Sequence, residues 1–80
     1  MMNDISPYRL DDYEELIGRF EKAKLEPSRV LLKVSSRWYA LPKDDSLIKA
    51  LGRLRAGQRI AILNLDGIHR IRIEGGVPDD

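Results

Sequence analysis

Apolar residues recur at helical spacing in the first third of the chain and alternate in the rest. Leu10, Tyr13, Leu16, Ile17, Phe20 and Ala23 fall on one helical face, with Asp12, Glu15, Arg19 and Lys22 opposite. Ser6-Pro7 reads as a helix entry, since proline is tolerated at the first helical position. Asp11, with Glu14 three residues on, has the spacing of a capping box. Glu15 and Arg19 stand four apart and would form an ion pair along such a helix. Gly18 costs a helix up to about 1 kcal/mol, and its presence fits close packing there. Pro27 biases Glu26 away from helical geometry and ends the element.

Beyond Pro27 the period becomes two. Arg29 to Ser35 reads as a strand with Val30, Leu32 and Val34 on one face. Trp38 to Leu41 reads as a second strand, stopped by Pro42. Asp44 or Asp45 caps a short helix with Leu47, Ile48, Leu51 and Leu54 in one stripe, and Gly52 and Gly57 punctuate its exit. Ile60 to Leu65 and Ile68 to Ile73 flank Asp66-Gly67, a dipeptide favoured in two-residue type I′ hairpin turns. That turn pairs Leu65 with Ile68, Asn64 with His69, Leu63 with Arg70, Ile62 with Ile71, Ala61 with Arg72 and Ile60 with Ile73. Ile60, Ile62, Ile71 and Ile73 are then the core face. The predicted fold is α+β: an N-terminal helix, then two β-hairpins separated by a short helix, as a small barrel or an interleaved dimeric barrel. It forms a single domain over 1–80, with an acidic N-terminal helix in 1–28, a basic β-rich core in 29–74 and a disordered tail in 75–80.

Charge sharpens this division. The formal net charge is only +1, yet residues 1–28 carry −3, residues 29–73 carry +7 and the last seven carry −3. A basic centre between acidic ends is the compositional hint of a polyanionic partner. The alternative is a solvated set of strand and helix faces, with Arg70 and Arg72 paired to acids of the N-terminal helix.

Catalytic chemistry has little to work with. His69 is the single histidine and there is no cysteine, so neither a disulfide nor a zinc site is expected. His69 sits beside a hairpin turn, where a structural role is expected, and Asp11-Asp12 and Asp44-Asp45 fit helix capping. No catalytic residue, cofactor or metal is expected, and the chain reads as a binding module, not an enzyme. Apolar runs such as Ile60 to Leu63 fall far short of the roughly twenty residues of a membrane helix. The first residues lack the blocks of a signal peptide, which makes the cytoplasm the expected location.

The stretch from Val34 to Ile73 resembles the SpoVT/AbrB family of swapped-hairpin transcription factors. Val34-Ser35-Ser36-Arg37 followed by Ala40-Leu41-Pro42-Lys43 is similar to that family's first hairpin. Leu47-Ile48-Lys49-Ala50-Leu51-Gly52 is similar to its short helix, and Leu54 to Ile60 to the entry of its third strand. Asp66-Gly67 matches the turn before its last strand. The first hairpin is about one residue short, Trp38 stands where the family has a glycine-containing turn, and Gln58 replaces an acid. The resemblance implies a homodimer whose basic residues contact DNA, at Arg37, Lys43, Arg53 and Arg55. The strand pattern adds Arg70 and Arg72 as DNA-binding candidates, because arginine contacts both phosphate and guanine edges.

The expected function is therefore a small DNA-binding transcriptional regulator, acting on double-stranded DNA as a homodimer. One alternative is a protein-interaction module, an inhibitor or adaptor of viral size, that meets a protein partner through the acidic helix. The other is an RNA-binding small barrel, in which Trp38 and Tyr39 stack on unpaired bases. Adjacent aromatics in a strand more commonly put one ring in the core and one at a rim.

Overall fold

The computed structural model describes residues 7–74. Its elements are β1 (Glu15–Leu25), β2 (Arg29–Val34), β3 (Arg37–Pro42), α1 (Asp45–Leu51), β4 (Arg59–Leu65) and β5 (Ile68–Ile73). The strands form one antiparallel sheet in the order β3-β2-β1-β4-β5.

This corrects the predicted architecture at its first element. The segment expected to be an N-terminal helix contains strand β1, so the chain is one five-stranded sheet and not a helix followed by two separate hairpins. β1 joins the halves. Its first five residues pair with β4, from Glu15 opposite Leu63 to Arg19 opposite Arg59. Its later residues pair with β2, from Phe20 opposite Val34 to Leu25 opposite Val30.

The helical spacing has a physical origin in this strand. Leu16, Gly18 and Phe20 alternate normally, and a β-bulge between Phe20 and Lys22 then adds one residue. Alternation resumes with Ala23 and Leu25. A two-residue period with one slip leaves Leu16, Phe20 and Ala23 at spacings of four and three, which imitates a helix. The capping-box contact does form: the Asp11 amide donates to Glu14 Oε1 at 2.8 Å, and the Glu14 amide to the Asp11 carbonyl at 2.9 Å. It closes a turn, because Tyr13 takes φ 65° and redirects the chain into β1. Ser6 and the tail 75–80 lie outside the described residues.

Two type I′ turns set the other registers. Asp66 (φ 54°) and Gly67 (φ 95°) give the β4–β5 pairing in the expected register. Ser35 (φ 49°) and Ser36 (φ 69°) make the equivalent turn between β2 and β3, which places Val34 opposite Arg37. Asp44 caps α1 through a 2.9 Å bond from the Ser46 amide.

The two halves of the sheet face one another across one core. Val30, Leu32 and Val34 of β2, Tyr39 and Leu41 of β3, Leu47 of α1, and Ile60 and Ile62 of β4 are buried together with Phe20. Each fully buried aliphatic side chain contributes roughly 1.5–3 kcal/mol. Ile71 packs against this cluster, but Ile73, expected in the core, is 41 % exposed at the sheet's end. Residues 7–10 cross the open side between β3 and β4. The Tyr8 amide donates to the Trp38 carbonyl and the Ala40 amide to the Tyr8 carbonyl, both at 2.9 Å. Two residues on, Asn64 Nδ2 donates to the Leu10 carbonyl at 2.9 Å. The strap thus covers the otherwise bare edge of β3.

Gly18 marks a close approach between β1 and the end of β2. A Cβ there would collide with Ser35 Oγ and lie 2.9 Å from Val34 Cγ1. Ser35 cannot swing aside freely, because its Oγ accepts the Arg19 amide at 3.1 Å. Gly18→Ala is expected to lower stability by about 1–3 kcal/mol in urea unfolding, from overpacking. A change within about 0.5 kcal/mol would mean that the β1–β2 junction relaxes around the methyl group.

Candidate nucleic-acid interface

Residues facing away from the core on β1, β2 and β3 follow from the pairing. Lys22 lies opposite Lys33, which lies opposite Trp38, and the next row is Lys24, Leu31 and Ala40. Lys22 Nζ stands 5.8 Å from the centre of the Trp38 ring, within cation–π range. Lys33 Nζ is 3.8 Å from Glu21 Oε1, and Glu21 also accepts the Ser36 amide at 2.6 Å. Leu31 is 1 % exposed on this face, so the long side chains around it stand over an apolar floor. The result is a half-buried indole beside Lys22 and Lys33, with Lys24 one row further along β1, 4.0 Å from Glu26.

Trp38 and Tyr39 divide as alternation requires. Tyr39 is buried in the core and Trp38 lies on the outer face, only partly covered. Tyr8 packs on Tyr39 with ring centres 5.7 Å apart, and the Arg37 guanidinium sits 5.2 Å from the Tyr8 ring centre.

The six cations expected from the sequence are spread over β3 and the residue that follows it, the connection from α1 to β4, and β5. Arg37 begins β3 and Lys43 follows its far end, about 20 Å away along the strand. Arg53 and Arg55 lie between α1 and β4, exposed. Arg70 and Arg72 point outward from β5, next to Leu63 and Ala61 of β4. Arg72 is neutralised locally, by Glu74 at 2.7 Å and Glu15 at 3.7 Å, and the hydrogen bond to Glu74 raises its pKa further. Glu15 therefore pairs across the sheet and not with Arg19. Lys43, Arg53, Arg55 and Arg70 have no acidic partner within 4 Å among the described residues.

Among the described residues the acidic N-terminal segment forms strand β1 and no helix that could dock a partner. Of the apolar face read for that helix, Phe20 is in the core, whereas Tyr13 is 68 % exposed. The sequence pattern does not single out the candidate residues Lys22, Lys24 and Lys33. Lys33 lies opposite Trp38 only once Ser35-Ser36 is known to be a two-residue turn, and Lys22 joins them only once β1 is a strand.

His69 lies on the core face opposite Asn64 and is 8 % exposed. Asn64 fixes this end of the sheet by donating to Leu10 and accepting the Gly67 amide at 2.7 Å. Among the described residues no group of histidine and acidic side chains is arranged to hold a metal ion, and no helix is long and apolar enough to cross a membrane. No family profile, curated protein or solved structure matches this chain.

Burial lowers the His69 pKa below the ordinary 6.5, against smaller opposing effects of the Gly67 backbone and the Asp44 carboxylate. The unfolded chain then takes up a proton more readily than the folded one. The stabilisation is complete above about pH 6.5 and is lost as pH falls through that value towards the folded-state pKa. Glu26, held below 4.5 chiefly by its hydrogen bond to Arg29, acts only at lower pH. Urea midpoints measured from about pH 7 to about pH 5 should fall in the native protein and flatten in His69→Gln. An equal fall in both would assign the effect to other groups.

Proposed function

We propose that this protein binds single-stranded nucleic acid on the outer face of β1, β2 and β3. Trp38 is the stacking platform, and Lys22, Lys24 and Lys33 contact phosphates. The observation that carries this reading is the row Lys22, Lys33, Trp38 on adjacent strands, with an ammonium already over the indole. Every base offers a π-face to a tryptophan, so such a platform binds with little sequence preference. The topology supports the same face. A five-stranded sheet in the order β3-β2-β1-β4-β5, with a helix between β3 and β4, is the connectivity of OB-type sheets, which bind oligonucleotides over strands two and three. That likeness is of strand order alone. On this reading the protein is a cytoplasmic nucleic-acid binder without catalytic activity, and one chain supplies the whole face.

Trp38 is the only tryptophan of the chain, so its fluorescence reports on this face directly. A single-stranded oligonucleotide should quench it. Trp38→Ala should weaken binding by about 5- to 150-fold, the worth of one stacked base, and Trp38→Phe should weaken it less. Three phosphate contacts give a log–log salt slope of about −2 on a single strand, or about 20-fold between roughly 50 and 200 mM salt. A clear preference for duplex, with Trp38→Ala unaffected, would favour duplex DNA binding through Arg37, Lys43, Arg53, Arg55, Arg70 and Arg72. Loss of all nucleic-acid binding at low salt would leave a protein-interaction module.

A further inference from the structure

The two edges of the sheet are finished differently. The strap of residues 7–10 covers the edge of β3, but among the described residues no backbone pairs with the outer edge of β5. The Glu74 amide donates to the Arg59 carbonyl at 2.8 Å, which makes Arg59 and Glu74 a hydrogen-bonded pair. Antiparallel pairs alternate, so Arg72 and Arg70 also bond to β4. His69, Ile71 and Ile73 then turn their N–H and C=O groups to the open edge. Such a row of donors and acceptors is a template for another strand.

The side chains along this edge differ between the two faces. Arg70 and Arg72 stand on the outer face. Arg70 has no acidic partner within 4 Å among the described residues, and the pairs of Arg72 with Glu15 and Glu74 are exposed and weak. Ile71 and Ile73 stand on the inner face, where Ile73 is 41 % exposed. α1 packs beside β5 and leaves a groove of about 260 Å³, lined by Leu47 and Ala50 of the helix and by Ile68 and Ile71 of the strand. Arginine on an edge also guards against unwanted pairing. A guard alone does not account for the exposed isoleucine and the apolar groove beside it.

Charge and hydrogen bonding select the occupant. A second copy is opposed by charge. Pairing β5 with itself about Ile71 sets Arg70 opposite Arg72 of the second copy. Either neighbouring register sets Arg70 opposite Arg70 or Arg72 opposite Arg72, and like charges directly opposed destabilise a sheet. A phosphate chain would satisfy the arginines, but phosphates offer no donor to the carbonyls of His69, Ile71 and Ile73. An extended peptide supplies both donors and acceptors, and its alternate side chains read the two faces separately.

We propose that the outer edge of β5 binds an extended acidic peptide as an added antiparallel strand, with carboxylates opposite Arg70 and Arg72 and apolar side chains opposite Ile71 and Ile73. This edge lies at the other end of the strand order from β3 and Trp38, so its occupation is independent of the nucleic-acid reading. The probe is the end-capped peptide Val-Glu-Val-Glu-Val with a fluorescein label, followed by anisotropy on the full chain. It should bind about 2- to 30-fold more tightly than Val-Lys-Val-Lys-Val, the worth of two cross-strand charge pairs. Arg70→Glu should weaken the glutamate peptide and strengthen the lysine one. N-methylation of the three valines, whose N–H groups face β5, should abolish binding, whereas N-methylation of the two glutamates, which face away, should leave it. Equal binding of the glutamate and lysine peptides overturns the proposal, and so does equal binding of the two methylated forms. Displacement of the peptide by octathymidylate, undiminished in Trp38→Ala, assigns the edge to nucleic acid and overturns it as well. Failure of every peptide to bind also overturns it, and a dimer in sedimentation would then assign the edge to a second copy.

Discussion

The sheet depends on one strand serving two neighbours in succession. β1 pairs with β4 through Arg19 and with β2 from Phe20 onward, so both halves of the core hang from its midpoint. That midpoint is crowded. Gly18 lets the end of β2 approach, Ser35 Oγ takes up the Arg19 amide, and the Phe20 amide and carbonyl turn to the Gln58 carbonyl and Gly57 amide at 2.8 and 2.7 Å. A side chain at position 18 would separate β1 from Val34, which is fully buried. The bulge at Glu21 has the complementary effect. By adding one residue it turns Lys22 to the outward side, beside Lys33 and Trp38, while Phe20 stays in the core. The same irregularity that joins the halves therefore assembles the candidate interface.

What could be read from the sequence follows from how local each signal is. Asp66-Gly67 specifies its own turn, because both residues accept positive φ, and the β4–β5 register followed from it. Ser35-Ser36 makes the same turn with residues that are not strongly marked for it. Its φ values are imposed by the strands it connects, so the facing of Lys33 and Trp38 was hidden. β1 was hidden more deeply. Its conformation is chosen by hydrogen bonds to β4 and β2, which lie far along the chain, and tertiary pairing of this kind overrides local spacing. The Asp11–Glu14 contact shows the limit of a motif: the bonds form as the spacing predicts, yet Tyr13 sends the chain elsewhere. The division of Trp38 from Tyr39 needed only alternation within one strand, and there the sequence was sufficient.

The uneven charge of the chain also has a structural answer. Acids of the first 28 residues do meet cations of the centre: Glu21 meets Lys33, Glu26 meets Arg29 and Glu15 meets Arg72. These contacts are made by strands and a turn, not by a covering helix. All three involve partly exposed side chains, and pairs of that kind are worth at most about 1 kcal/mol. They organise the surface without locking it. Glu21 is the clearest case, since its other oxygen holds the Ser36 amide and steadies the β2–β3 turn.

That weakness bears on binding. A lysine held by a strong buried carboxylate could not transfer to a phosphate without a large penalty. Lys33, at 3.8 Å from Glu21 on an open face, would lose little in the contact proposed above. Lys22 rests on the indole, and on the proposed reading a base stacked on Trp38 would compete with its ammonium for the ring. Glu21 offsets the charge of Lys33, which keeps the directly opposed pair Lys22 and Lys33 tolerable on adjacent strands. The pairing of those two lysines, unfavourable by itself, becomes reasonable when the face has a polyanion to meet.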